Sequence, residues 1–207
     1  MSYPAVNVRG VSRYEIHLTV FADASDDLLR SWAAGRGVKY TRIMLDRGDH
    51  ASQPMLSWLS DGTPASAEAD ARRTADALRT AGFPVTRLKV EAAASGREAP
   101  ATAADARPDL YFEHHVKLLL PAGTALEPVR AAAAGHDAHL SRNARRVRAD
   151  GVQERFVTQR CYRAGQAEAS AALAGLLGAL SGWEVTEVEQ EYVLVDDNPG
   201  LDAGWFA

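Results

Sequence analysis

The sequence contains the same pattern twice, about one hundred residues apart, and this repetition limits the fold more than any other feature. Residues 14–21 (YEIHLTVF) and 112–120 (FEHHVKLLL) both alternate polar and apolar residues, as expected for half-buried strands. Both carry a Glu-x-His motif, formed by Glu15 and His17 and by Glu113 and His115. We interpret them as the first strands of two copies of one domain.

Further matches keep a constant offset of 100 in residue number. They are Ala67-Glu68-Ala69 with Ala167-Glu168-Ala169, Gly82 with Gly182, Val85-Thr86 with Val185-Thr186, Glu91 with Glu191, and Thr41-Arg42 with Ser141-Arg142. Several matches in one register favour an internal repeat, and a repeat of this length predicts two similar structural units.

Hydrophobic periodicity and turn residues predict the order βαββαβ in each half. In the first half we predict strands at 14–21, 38–45, 53–59 and 85–91, and helices at 23–34 and 66–81. In the second half we predict strands at 110–120, 139–147, 154–162 and 183–195, and helices at 124–135 and 166–181. The domains are then residues 1–91 and 109–195. Residues 92–108 have the Ala, Pro, Gly and Ser content of a linker, and residues 196–207 form a C-terminal tail.

A βαββαβ unit resembles the ferredoxin-like fold. The resemblance implies an α+β protein, internally duplicated, with two four-stranded antiparallel sheets of order 4-1-3-2 and helices on the outer faces. The open faces of the two sheets are then expected to pack together or to form a shared cleft. The fold hosts many unrelated functions and does not by itself indicate a chemistry.

Composition narrows the classes of function. The 207 residues are 46% hydrophobic and 24% charged, with a net charge of −4, so a dense basic face for duplex nucleic acid or for an anionic membrane is not expected. The single cysteine, Cys161, excludes an internal disulfide. No segment approaches the roughly 20 apolar residues of a spanning helix, and the chain is predicted to be soluble and cytoplasmic.

Polar residues that recur in both halves form the candidate site. Alternation along a strand places Glu15 and His17 on the open face, opposite Ile16 and Leu18, which should face the helices. It likewise separates His115 from His114. The candidate catalytic residues are His17, His115, Glu15 and Glu113. The candidate ligand-binding residues are Arg42, Arg142, Ser57, Thr158, Glu91 and Glu191.

The first functional hypothesis is a small anionic ligand that is bound, or bound and processed, in the cleft between the repeats. Arg42 and Arg142 offer bidentate donors for a carboxylate or phosphate. Further arginines cluster around the second predicted hairpin, at Arg145, Arg146, Arg148, Arg155, Arg160 and Arg163. The alternative is an interaction or scaffold protein without catalytic activity. A concave pocket lined by both Glu-x-His pairs would favour ligand binding over the scaffold.

Two other chemistries remain open, although no metal or other cofactor is predicted. The set His17, Glu91, His115 and Glu191 suits a divalent metal and resembles the donors of the vicinal oxygen chelate enzymes, which lack the second helix predicted in each repeat. His17-Leu-Thr19 and His139-Leu-Ser141 resemble the paired motifs of the 2H phosphoesterases. That resemblance implies two histidines in acid and base roles, but here they fall on non-equivalent strands.

The tail is predicted to be irregular because it contains Pro199 and two glycines. Trp205 and Phe206 are costly to leave in water, so we expect the tail to dock on a surface or on a partner chain. Self-association through these two aromatic residues is one outcome of that expectation.

Overall fold

The computed structural model describes residues 12–144 and 150–206, which form eight strands and four α-helices. The strands are β1 (Ser12–Val20), β2 (Lys39–Leu45), β3 (Ser52–Gly62), β4 (Val85–Ala93), β5 (Tyr111–Leu120), β6 (Ala138–Asn143), β7 (Gln153–Tyr162) and β8 (Glu184–Asp196). The helices are α1 (Asp26–Ala34), α2 (Pro64–Thr80), α3 (Glu127–Ala134) and α4 (Gln166–Ala179). Each half therefore has the predicted order βαββαβ. Arg145, Arg146, Arg148 and the predicted end of a strand at Val147 lie outside the described residues.

Each half builds its core between its own sheet and its own two helices. In the first half the alternate residues Ile16 and Leu18 of β1 pack with Leu29 of α1 and Leu78 of α2. The second half has an equivalent core, which contains Val116, Leu118, Val129 and Leu176. The apolar residues of these first strands face the helices. Because side chains alternate along a strand, the polar residues between them face the opposite side of the sheet. Within the described residues, no helix combines the length and the apolar character needed to span a membrane.

The two sheets pair edge to edge and close into one barrel of order β1-β3-β2-β6-β7-β5-β8-β4. Within each half the strand order is the predicted 4-1-3-2, and the duplicated ferredoxin-like α+β fold is confirmed. The sequence did not predict the two seams, where β2 pairs with β6 and β4 pairs with β8. The open faces of the two sheets therefore line the inside of a single barrel.

The seams give the barrel two related but different ends. Ile43 pairs with Asn143 across one seam and Ala92 pairs with Tyr192 across the other, so residues 100 apart meet at both. A pseudo-twofold axis through both seams crosses the barrel and exchanges its ends. Equivalent residues of the two halves consequently lie toward opposite ends. We call the end where β4 begins and β8 finishes the closed end, and the end where β1 begins and β5 finishes the open end.

The C-terminal segment 199–206 covers the closed end. It contains a short 3-10 helix, Pro199–Asp202, and the Trp205 indole donates a hydrogen bond to the Leu140 carbonyl at 3.0 Å. Gly48 lies beneath it with a φ of +108°, where an added Cβ would come within 3.0 Å of the Ala203 carbonyl oxygen. The tail thus docks on its own chain with Trp205 only 4% exposed. Self-association through Trp205 and Phe206 stays a prediction, and this contact leaves little of Trp205 for it.

The segment between β4 and β5 is packed onto the barrel rather than extended from it. The Gln166 amide donates to the carbonyls of Ala94 and Gly96, at 3.1 and 3.2 Å. The Tyr14 hydroxyl donates to Glu98 at 2.8 Å. Ala99 is buried in a small apolar cluster formed with residues of the second half. The segment predicted as a linker is thus packed against both halves of the barrel.

Candidate ligand-binding site

The interior of the barrel holds a cavity of about 220 Å³ lined by both Glu-x-His pairs. One wall, from β2, β3 and β7, carries the apolar side chains of Ile43, Leu45, Met55 and Phe156 together with the charged side chains of Lys39 and Arg160, and Trp205 closes one end. The opposite wall, from β1, β4, β5 and β8, carries charged side chains: Glu15, Arg87, Lys89, Glu113, Lys117, Glu187, Glu189 and Glu191. A neighbouring depression shares Glu15, Lys39, Ser57, Glu189 and Glu191 with this cavity. The cavity is therefore amphipathic and continues toward the open end.

Both ring nitrogens of His17 have partners. The Nδ1 atom lies 2.8 Å from the Ser57 hydroxyl, and Nε2 lies 2.7 Å from a carboxylate oxygen of Glu91. Glu15, the carboxylate of its own motif, is farther away at 3.8 Å. Burial lowers the pKa of His17, but the charge and hydrogen bond of Glu91, together with the charge of Glu15, raise it above its ordinary value. The ring is therefore held by neighbouring strands rather than by its own motif.

His115 occupies the equivalent position in the second half with looser contacts. Its Nδ1 atom lies 3.0 Å from the Thr158 hydroxyl, the counterpart of Ser57. Its Nε2 atom lies 3.4 Å from Glu113 and 3.7 Å from Glu191. His114 points the other way, as predicted, with Nδ1 2.9 Å from the Gln159 side chain under the helices. Burial lowers the pKa of His114.

A buried lysine connects the two halves of the site. The Lys89 ammonium lies 2.5 Å from Glu91 and 3.0 Å from Glu113, so a chain of charges runs from His17 through Glu91, Lys89 and Glu113 to His115. Burial lowers the pKa of Lys89, but the charges of Glu113 and Glu91 outweigh burial and raise it. Burial raises the pKa of Glu113, but the charges of Arg160 and Lys89 bring it well below its usual range. The buried ions stay charged because each faces the opposite sign.

Negative charge is in excess toward the open end. Glu191 lies mostly buried, with 15% of its side chain exposed, and its ion pair with His115 spans 3.7 Å. Burial raises the pKa of Glu191 well above its ordinary value, and the charges of Glu91 and Glu15 raise it further. Lys117 reaches Glu154 and Glu187 only at 3.7 and 3.9 Å. Toward the open end the cavity is thus lined by four carboxylates, Glu15, Glu187, Glu189 and Glu191, and by two lysines, Lys39 and Lys117.

Arg42 lies outside the cavity, which corrects its assignment to the ligand site. Its guanidinium donates to Asp26 at 2.6 Å, to the Ala22 and Ala24 carbonyls at 2.9 Å each, and to Ser52 at 2.7 Å. The reason is strand parity: Thr41 and Ile43 line the cavity, so Arg42 faces α1. Its counterpart Arg142 is exposed at the rim of the cavity.

Replacing Arg42 by alanine should therefore lower the free energy of unfolding by about 1–3 kcal/mol, because several partly buried acceptors lose a charged donor. Urea unfolding measures the change, with Arg72→Ala in the exposed pair with Glu68 as the matched control. Ligand affinity should be unchanged. A variant of normal stability that loses ligand binding would return Arg42 to the site.

Some of the other predicted site residues lie at the cavity, and others lie away from it. Ser57, Thr158 and Glu191 line the cavity, and Glu91 contacts His17 at its edge. His139 does not pair with His17: it packs against Trp205 and Phe206 at the closed end, with Nδ1 3.0 Å from Arg47. The two histidines of the phosphoesterase-like motifs are therefore separated. Among residues 12–144 and 150–206, no group of three His, Cys, Asp or Glu side chains is arranged to hold a metal ion.

Sequence reasoning missed the charged residues that precede Glu91 and Glu191 by two and four positions. Arg87 and Lys89 in β4, and Glu187 and Glu189 in β8, all line the cavity. Alternation along the two strands would have placed them on the face of Glu91 and Glu191. Each pair of equivalent positions has reversed its charge, which makes the two ends of the barrel electrostatically different.

No family model and no curated protein matches the chain. Among solved structures, the chain is similar to the acetolactate synthase small subunit from Thermotoga maritima, with 11% identity, 89% of this chain and 95% of that chain covered, and a TM-score of 0.30. It is also similar to the regulatory subunit of aspartate kinase from Thermus thermophilus, with 17% identity, 83% and 97% coverage, and a TM-score of 0.33. A chlorite dismutase from Candidatus Nitrospira defluvii shows 11% identity, 89% and 92% coverage, and a TM-score of 0.29. Likenesses this weak carry no argument about function.

Proposed function

We propose that the chain binds a small amphipathic molecule with a positively charged group inside the barrel. Glu191, supported by Glu15 and Glu189, receives the cationic group, and Met55 and Phe156 contact the apolar part. The observation that supports this proposal is the position of Glu191 in the cavity, mostly buried and close to other carboxylates. A bound cation would relieve their mutual repulsion.

The choice of a cationic ligand replaces the anionic ligand expected from the sequence. That expectation rested on Arg42, which is occupied on the outer face, and on Arg142 at the rim. The cations buried in the interior already have anionic partners: Lys89 contacts Glu91 and Glu113, and Arg160 contacts Glu113 and Asp202. An anion would have to displace these carboxylates, whereas a cation meets carboxylates whose ion pairs are longer, Glu191 with His115 at 3.7 Å and Glu15 with His17 at 3.8 Å.

The shape of the cavity supports an organic ligand of small size. Its volume of about 220 Å³ is below the roughly 300–1,000 Å³ that is usual for drug-sized ligands. The apolar wall gives a hydrocarbon group a place opposite the carboxylates. The cavity is also lined by both Glu-x-His pairs, which favours ligand binding over a scaffold role.

In this proposal the two histidines have a structural role in the cavity and do not act as catalytic residues. Both ring nitrogens of His17 are engaged, by Ser57 and Glu91, so a ligand proton has no vacant nitrogen there. His115 has longer contacts to Glu113 and Glu191 and lies next to the proposed cation position. We therefore assign His115 to orienting Glu191, and we propose binding as the activity.

Thermal unfolding with matched pairs of ligands tests the proposal. Butylamine and benzylamine, compared with butyrate and benzoate at equal ionic strength and pH 7.5, should raise the melting temperature by about 3–6 °C at ten times the dissociation constant. Glu191→Gln should abolish this increase, and Glu68→Gln on the surface of α2 should leave it unchanged. Stabilisation by the carboxylates and not by the amines would overturn the assignment of a cationic ligand.

A further inference from the structure

The closed end of the barrel contains three donors that converge on one carboxylate. Asp202 Oδ2 accepts hydrogen bonds from Arg87 at 2.7 Å and from Arg160 at 2.6 Å, and its Oδ1 accepts one from the Gln53 amide at 2.9 Å. Two guanidinium groups and an amide around one carboxylate form the kind of site that binds anionic ligands strongly. Asp202 is 3% exposed and fills it completely.

The three donors belong to the barrel, while the carboxylate belongs to the segment that covers it. Gln53, Arg87 and Arg160 lie on β3, β4 and β7. Asp202 lies in segment 199–206, whose one strand-like contact among the described residues is a bridge from Ala203 to Phe206 within the segment itself. The segment adds no strand to the barrel, so its departure breaks no ladder hydrogen bond between the eight strands.

The two arginine donors also have partners other than Asp202. Arg87 donates to Asp196 at 2.8 and 2.6 Å, and Asp196 in turn accepts from the Tyr111 hydroxyl at 2.6 Å. Arg160 donates to Glu113 at 3.2 Å and stacks on the Tyr111 ring, 4.7 Å from its centroid. The geometry of the two arginines is therefore preorganised by the strands, as a ligand site requires.

The site faces the same interior cavity as the rest of the barrel. Gln53, Arg87, Arg160 and Asp202 all line it, beside the apolar side chain of Leu45. The pseudo-twofold axis shows that this basic group is particular to the closed end. Arg87 pairs with Thr19, and at the matching position of the other half Glu187 pairs with Lys117.

From this geometry we infer that the closed end is a binding site for a small carboxylate, and that Asp202 is its internal occupant. Segment 199–206 then acts as a plug that competes with a carboxylate ligand for Gln53, Arg87 and Arg160. The inference goes beyond the proposed function, because it concerns the opposite end of the cavity and a ligand of opposite charge. In the intact chain the tethered Asp202 keeps small carboxylates out at moderate concentration.

Rescue by an added carboxylate tests the inference. Asp202→Ala empties the site, and 100 mM acetate or formate, compared with chloride at equal ionic strength, should raise the melting temperature of this variant by about 3–6 °C. Asp202→Asn fills the same space and should show no rescue. Asp61→Ala, which removes the exposed partner of Arg13, controls for general effects of acetate. A folded Asp202→Ala variant that acetate stabilises no more than Asp61→Ala overturns the inference.

Hydrogen exchange decides the question if Asp202→Ala does not fold. In the wild-type chain, 1 M acetate should speed amide exchange in peptides covering 199–206 relative to 1 M chloride, and leave exchange in β1 and β5 unchanged. Equal exchange of the tail in both salts overturns the inference. Butylamine binding, measured on the same samples, reports on the open end alone, so failure of the proposed function and failure of this inference are distinguishable.

Discussion

Replacing Lys89 by methionine should lower the free energy of unfolding by about 3–5 kcal/mol, the largest effect we expect from a single substitution in the interior. Lys89 neutralises Glu91 and Glu113, whose side chains are 0% and 3% exposed. Without the ammonium, Glu91 keeps His17 as its one ion-pair partner among the described residues, and a buried carboxylate with less compensation is costly. Urea unfolding at pH 7.5 measures the loss.

Two comparisons make this prediction specific. Arg13→Met breaks the exposed pair with Asp61 and should hardly move the urea midpoint, because exposed ion pairs contribute little. The double variant Lys89→Met with Glu91→Gln should recover part of the stability, since the uncompensated charge is gone. A loss for Lys89→Met no larger than that for Arg13→Met would show that Lys89 does not hold the interior together.

Glu191→Gln should raise stability by about 1–3 kcal/mol at pH 8, at the expense of ligand binding. The folded-state pKa of Glu191 lies well above its ordinary value, so the folded chain keeps a proton that the unfolded chain has released. Stability therefore falls as the pH rises through this raised pKa, and the substitution removes that loss. The gain should be absent near pH 4, where Glu191 is protonated in both states.

Urea midpoints of the wild type and of Glu191→Gln between pH 4 and pH 8 measure this difference. Glu68→Gln on α2 is the control, because this carboxylate lies on the surface in an ion pair with Arg72. If Glu191→Gln is no more stable than the wild type at pH 8, then ionised Glu191 does not destabilise the folded chain. The proposal of a cationic ligand would then lose its support.

Other interior carboxylates should respond to pH in the opposite direction. Burial raises the pKa values of Asp196 and Asp202, but the hydrogen bond and charge of Arg87 lower that of Asp196, and the charges of Arg87 and Arg160 lower that of Asp202. Their contribution to stability is present above the ordinary pKa of an aspartate, about 4, and is lost as the pH falls through the lowered values. Stability should therefore be highest at mildly acidic pH, between these transitions and that of Glu191.

Much of the fold was predictable because local patterns and long-range structure agree in this chain. The alternation in residues 14–21 and 112–120 identified which face of β1 and β5 is polar, and it separated His115 from His114 correctly. Matching the halves also identified Ser57 and Thr158, which contact the two histidines. These features depend on positions within one unit of the fold.

The remaining features depend on contacts that sequence periodicity does not contain. Arg42 was misplaced because β2 turns Ile43 and Leu45 into the cavity, whereas in the first strand the apolar residues face the helices. The seams between β2 and β6 and between β4 and β8 require the two halves to meet, and neither half signals that. Asp202 lies in an irregular tail, so no pattern placed it between Arg87 and Arg160.

Proton release on ligand binding is the most direct test of a cation site formed by Glu191. Titration calorimetry with butylamine at pH 6, in two buffers of different ionisation enthalpy, gives the number of protons exchanged. The amine is already fully protonated at this pH, so protons released come from the protein. We predict net proton release by the wild type and little or none by Glu191→Gln. Binding without proton release, or binding that Glu191→Gln leaves unchanged, would contradict the central claim.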